Sequence, residues 1–252
     1  MPEQQPAAKQ PTKKAAAAAK QKPAAPAPRP VPVEELGRVV GGAHHDPHSI
    51  LGAHLHEGRV TVRALRPGAA KVAVAIGDER VDMTHEHEGV WVALLERDTV
   101  PDYRLVVDYG DGFEHRQDDP YRYLPTLGEM DLHLIGEGRH EDLWKVLGAH
   151  VHTYDSPTGP VTGTAFAVWA PAARGVRVSG DFNGWNSVAY PMRTLGSSGV
   201  WELFIPGVGN GTKYKYDVLG ADGVWRDKAD PMAQHTEHPP ATASVVYTSD
   251  YD

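Results

Sequence analysis

The sequence has 252 residues, 40% apolar and 23% charged, an ordinary globular balance with material for one or two packed domains. It contains no cysteine, which excludes disulfides and thiolate metal sites, and no apolar run of the ~18 residues a membrane helix needs. The formal net charge is −8, and the first 30 residues hold six basic residues against Glu3 alone, so the body is acidic and nucleic acid is a poor main partner.

Residues 1–32 are repeated Pro and Ala among Lys, with nothing bulky to bury, and are expected to be a disordered, solvated tail. They lack the apolar segment of a secretory signal, which points to a cytoplasmic protein. A short piece, Val33 to Val40, leads into His44-His45-Asp46-Pro47-His48, with His54 and His56 close behind. Hydrogen-bonded histidines and a zinc or nickel site are both open for this cluster, but Pro47 interrupts it and no standard zinc spacing follows, so no metal is expected.

Short alternating runs then dominate. Arg59–Leu65 and Lys71–Ile76 place Val60, Val62, Val72, Val74 and Ile76 at period two, and Val90–Leu95 and Tyr103–Tyr109 are equally strand-like. Turn clusters such as Arg66-Pro67-Gly68 and Gly110-Asp111-Gly112 separate them, while His85-Glu86-His87-Glu88 reads as a polar loop. After residue 127, Glu137–Leu147 sets Leu143, Trp144 and Leu147 at helical spacing.

The second half repeats the first. Leu51-Gly-Ala-His54 recurs as Leu147-Gly-Ala-His150, Leu65-Arg-Pro67 as Trp169-Ala-Pro171, and Gly89-Val-Trp91 as Gly199-Val-Trp201. Tyr103 answers to Tyr214, and Asp119-Pro120 to Asp230-Pro231. The order is kept while the offset grows, as loops lengthen around fixed strands. The expected fold is therefore all-β. It comprises a tail (1–32), a first immunoglobulin-like β-sandwich (33–127), a short helical linker (128–147) and a second, tandem sandwich (148–252).

Duplication supplies an internal control. Trp91 and Trp201 are shared, alternate with apolar neighbours, and are expected in the core, as is Trp169 in place of Leu65. Asp119 and Asp230 are also shared and suit a turn before proline, so no catalytic carboxylate pair is expected, nor any other catalytic set. Trp185, in Phe182-Asn-Gly-Trp185, and Trp225, after Asp222-Gly-Val, have no counterpart in the first copy. Both follow turns, where side chains face water, so both are candidates for ligand contact, with packing against another domain as the alternative. An indole offers a flat apolar plate and one N–H donor, which suits the C–H face and hydroxyl rim of a pyranose. Asn183 adds an amide, and Lys213 and Lys215 add ammonium donors. The ligand expected at Trp185, Trp225, Lys215 and Asn183 is an α-glucan, with no cofactor.

Three stretches resemble one family: Gly42-Ala-His-His-Asp-Pro-His-Ser-Ile-Leu-Gly-Ala-His54, the segment from Asp119-Pro-Tyr-Arg-Tyr-Leu-Pro to Gly138-Arg-His140, and Ala167-Val-Trp-Ala-Pro171 with Phe182-Asn-Gly-Trp185. They look like the N-terminal region of bacterial 1,4-α-glucan (glycogen) branching enzymes, and the second sandwich is similar to carbohydrate-binding module family 48. The resemblance covers residues 33–252. It implies glucan stacking on Trp185 and Trp225 and a hydrogen bond from Lys215. Binding members use an Asn before the last strand, where this sequence reads Ala241-Thr-Ala-Ser244. Full-length relatives are transglycosylases of glycoside hydrolase family 13 that build glycogen branch points on a (β/α)8 barrel. By the same resemblance this chain is a non-catalytic front part, inactive alone, that contacts glycogen and its parent's barrel. The rival readings are a stand-alone glycogen- or starch-binding regulatory module and the front of a debranching or trehalose-releasing enzyme.

Overall fold

The computed structural model describes residues 26–249; most of the expected tail, residues 1–25, lies outside them. The tail assignment also ran too far. Arg29 is already held by the body, its N–H donating to Thr61 Oγ1 (2.8 Å) and its carbonyl accepting from Arg63 Nη2 (2.6 Å). Helix α1 (Val33–Gly41) follows, with Glu34 and Glu35 in its first turn and Leu36 and Val39 buried.

The first sandwich pairs two antiparallel sheets. One is ordered β1 (Gly52–His56), β2 (Arg59–Leu65), β6 (Val90–Leu95), β5 (Thr84–His87). The other runs β4 (Glu79–Asp82), β3 (Lys71–Ile76), β7 (Arg104–Asp108), β8 (Glu114–Gln117). Val60, Val62, Val72, Val74, Leu105 and Val107 fill the space between them, the period-two valines all on the inner faces.

The second sandwich repeats this plan. One sheet is β12 (Arg193–Thr194), β13 (Val200–Pro206), β10 (Val161–Trp169), β9 (Gly148–Tyr154). The other is β11 (Gly175–Gly180), β14 (Lys213–Leu219), β17 (Ser244–Val245), β16 (His235–Thr236), with β15 (Trp225–Lys228) also paired to β14. Its core, around Phe166, Val178, Leu203, Tyr214 and Tyr216, is continuous with Leu36 and Val39 of α1 and with Leu51, Leu65 and Val90 of the first sandwich.

The repeat holds down to single hydrogen bonds. His54 and His150 each bond the carbonyl three residues back, Leu51 and Leu147, at 2.9 Å. Tyr103 donates to Asp119 (2.6 Å) and Tyr214 to Asp230 (2.7 Å), while the other oxygens of these aspartates accept from Tyr121 N and Met232 N. Trp91 and Trp201 donate their indole N–H to the carbonyls of Arg66 and Ala170. Gly89 and Gly199 sit at φ 88° and 79°, where a Cβ would strike Pro67 and Pro171.

Several local expectations differ from what is observed. The linker helix, α2, spans Glu129–Gly136, upstream of the predicted stretch, and only one turn, α3 (Leu143–Val146), forms within that stretch. Gly138, at φ 68°, ends α2 and prevents a continuous helix. His85–His87 belong to edge strand β5 rather than a loop, because Glu86 reaches back to the buried Arg63 (2.7 and 2.9 Å). Trp169 is 54% exposed instead of core, since it ends β10 on the face away from Phe166 and Val168. Among the described residues no helix is long and apolar enough to cross a membrane.

Polar contacts fix the two sandwiches to each other. Tyr121 donates its hydroxyl to the carbonyls of Ala189 and Pro191 (3.2 and 3.1 Å), and Thr194 N donates to His45 O (2.7 Å). Asp102 accepts from Arg104, Arg122, Ser156 and Thr158, the last two from the second sandwich. Fully buried Glu202 accepts from Thr126 N and Oγ1 (both 2.6 Å) and from Arg193 (3.2 Å), tying the segment before α2 to β13.

Candidate functional site

The Phe-Asn-Gly-Trp turn begins where β11 ends. A 3₁₀ turn over Asp181–Asn183 is followed by two residues in the left-handed region, Gly184 (φ 60°) and Trp185 (φ 62°). For an L-residue with a bulky side chain that conformation costs about 1–2 kcal/mol, so the surroundings must enforce it. Asn183 does much of this. Its Oδ1 accepts from Gly180 N (2.9 Å), its Nδ2 donates to Val178 O (3.1 Å), and Trp185 N donates to Gly180 O (2.9 Å). The result is a rigid turn that presents an indole 43% exposed to solvent.

Asn183 is thus partly committed within the protein. Its carbonyl oxygen and one amide hydrogen are used inside the turn, which leaves one amide hydrogen uncommitted. Trp225 also differs from the expected freestanding plate. It is half-buried, and the Arg177 guanidinium lies 4.4 Å over its ring, which covers one face of the indole. Arg177 in turn donates to Val40 O of α1 (2.8 Å), so Trp225 is joined to the inter-sandwich contact. Lys215 is in the same sheet, 21% exposed at its side chain, and pairs with Asp227 Oδ2 at 2.8 Å.

The register places these groups on one surface. Leu219 pairs with Trp225, Asp217 with Asp227 and Ser179 with Lys215, so Lys215, Trp225 and Asp227 share the face of the sheet opposite buried Tyr214 and Tyr216. The Trp185 turn lies at the end of that sheet, anchored where Lys213 N donates to Asp181 Oδ2 (3.1 Å). Lys215 and the partner of Trp225, Leu219, are four residues apart on β14, about 13 Å at strand rise. Lys215 and Trp225 thus mark a track along one sheet face, and the Trp185 turn lies at the end of that sheet. Within the Ala241–Ser244 stretch, Ser244 already belongs to β17, is fully buried and accepts from Asp230 N (2.9 Å), so it lies beneath this surface.

The histidines near residue 50 form no such site. His44 accepts from Asp46 N through Nδ1 (3.0 Å) and lies 3.0 Å from Glu35, and His54 bonds Leu51 O. Burial, with Arg193 and His54 nearby, pushes His48 down to about 2, so its ring is neutral. No group of three metal-ligating side chains is present among the described residues.

Residues 32–121 match the family described as alpha-1,4-glucan branching enzyme GlgB, N-terminal domain, and residues 146–233 match carbohydrate-binding module 48 (isoamylase N-terminal domain). The chain is an N-terminal region of the GlgB family. It is 58% identical over 224 residues to the 1,4-alpha-glucan branching enzyme GlgB of Frankia casuarinae, covering 88% of this chain and 28% of that one. The GlgB of Rhodococcus jostii is 56% identical over 230 residues, 91% and 31% of the two chains. The chain thus spans under a third of the length of these GlgB relatives. A solved pullulanase from Anoxybacillus sp. matches 78% of this chain and 27% of its own at 20% identity, with a TM-score of 0.33.

Proposed function

We propose that the second sandwich binds linear α-1,4-glucan, as the front part of a cytoplasmic glycogen branching enzyme. The observation that carries the reading is the exposed Trp185 indole, held at a strained φ on a rigid turn within a carbohydrate-binding module 48. Strain of this kind persists where a side chain must be aimed. Lys215 gives the track a donor once it is shared with or released from Asp227. Trp225 contributes the indole face that Arg177 leaves open.

In the parent enzyme such a module would hold glycogen chains for a catalytic barrel that moves α-1,4-linked segments to α-1,6 branch points. A packing role accompanies binding. An apolar groove of about 310 Å³, lined by Ile135, Leu143, Leu147, Trp169, Pro231 and Met232, suits contact with further polypeptide of the kind the longer relatives possess.

Native gels containing glycogen test the binding reading. Aromatic stacking is worth ~1–3 kcal/mol per nucleic-acid base, and a pyranose face is of similar size. Trp185→Ala is expected to weaken retention by about tenfold or more, and Trp225→Ala by less. No retardation of the unmodified chain, or equal retardation of all three proteins, would sink the assignment.

A further inference from the structure

Two cavities, of about 580 and 290 Å³, open along the seam between the sandwiches. Gln117, Phe182 and Tyr190 line both, so the two form one groove within the size range of ligand clefts. One wall is β8 of the first sandwich, with Arg116 and Gln117. The opposite wall includes the Trp185 turn itself, through Phe182 and Asn186. The turn therefore has an indole on its solvent side while neighbouring residues face the groove.

The polar groups of this groove are unusually free. Among the described residues, the Arg116 guanidinium, the Gln117 amide and the Tyr190 hydroxyl have no hydrogen bond or ion pair within the protein. Asn186 accepts from Val188 N (3.1 Å) and keeps its NH₂ group available. The one carboxylate in the larger cavity, Asp118, is already neutralised by Arg104 (3.2 Å), Arg122 (3.0 Å) and the Tyr123 hydroxyl (2.8 Å).

This chemistry selects a ligand. Amides and a phenol both donate and accept, as sugar hydroxyls do. An anion would find Arg116 and the unpaired Nε and Nη2 of buried Arg66, but Asp119 beside Arg66 and a net charge of −8 on the chain oppose it. An apolar segment would desolvate three polar groups without pairing them, at a cost each time. We propose that the groove between the sandwiches is a second glucan subsite, taking the continuation of the chain that lies on Trp185. The proposal rests on the glucan reading above, and adds to it that the first sandwich, through Arg116 and Gln117, also contacts the sugar.

The test compares maltotriose with maltoheptaose, titrated into the 252-residue chain by calorimetry and by NMR of the Gln117 side-chain amide. Maltoheptaose is expected to shift that amide, and maltotriose to leave it in place. Arg116→Ala/Gln117→Ala is expected to weaken maltoheptaose binding about fivefold or more, from two lost hydrogen bonds, with maltotriose binding unchanged. Tyr190→Phe keeps the packed ring and is expected to give a smaller loss in the same direction. Equal maltoheptaose affinity in wild type and double variant, an unmoved Gln117 amide, or an equal loss for both sugars would overturn the groove and leave Trp185 standing. Failure of the unmodified chain to bind either sugar would overturn both readings.

Discussion

Trp185 can be replaced in two ways that separate its backbone from its ring. At φ 62° an alanine still suffers the left-handed penalty of about 1–2 kcal/mol, whereas glycine does not. Glycine loses more freedom on folding, by about 0.5–1 kcal/mol, so Trp185→Gly should be more stable than Trp185→Ala by about 0.5–1 kcal/mol. For a chain of this length that is a difference of ~1–4 °C in melting temperature. At an ordinary loop position the order would be reversed. Both variants lack the plate, and both should lose glycogen retention to the same extent. Urea or thermal unfolding of the pair, beside the glycogen gel, checks the two halves together. An alanine variant as stable as the glycine variant would show that the turn does not impose this backbone, and the reason for reading Trp185 as an aimed side chain would be gone.

The duplicated Tyr–Asp bonds predict that Tyr103→Phe and Tyr214→Phe each lower stability by about 1–3 kcal/mol, because each leaves a buried carboxylate short of a donor; urea midpoints measure this. Glu202→Ala strands the buried Arg193 and frees Thr126, and should cost about 3–5 kcal/mol by the same measurement. Burial alone would raise Asp102, but hydrogen bonds from Thr158, Arg104 and Arg122 outweigh it and hold the carboxyl well below the usual range. A depressed native value gives stability that is full above the unfolded value near ~4 and is lost as pH falls through the native one. The melting-temperature gap between wild type and Asp102→Asn should therefore be constant above about pH 5 and close progressively in more acid buffer.

Much of the architecture could be read from the residues because it is local or repeated. Alternating valines mark β2 and β3 at their observed ends, since burial of one sheet face is written at period two. The paired motifs identify the same hydrogen bonds twice, as Tyr103–Asp119 and Tyr214–Asp230 illustrate. What escaped was set by contacts across long separations. Nothing near Trp225 announces that Arg177, nearly fifty positions earlier, will cover its ring while bonding α1. Edge strand β5 depends on Arg63 drawing Glu86 inward, and Trp169 is exposed because of where β10 stops. Asn183 was visible as a turn residue, and its inward amide follows from the Asx-type bonding common at such turns. The groove had no local signal at all, since its walls are over fifty residues apart.

One apolar cluster is shared by α1, the near edge of the first sandwich and the second sandwich, which bears on how the molecule comes apart. Two repeats that share side chains in this way cannot hinge about the linker without opening oily surface to water. Heating should melt them together, in a single calorimetric peak, and severing the chain between them should leave each half prone to clump. Two modules built on one plan are thus bound into a single mechanical body by the oily seam they share.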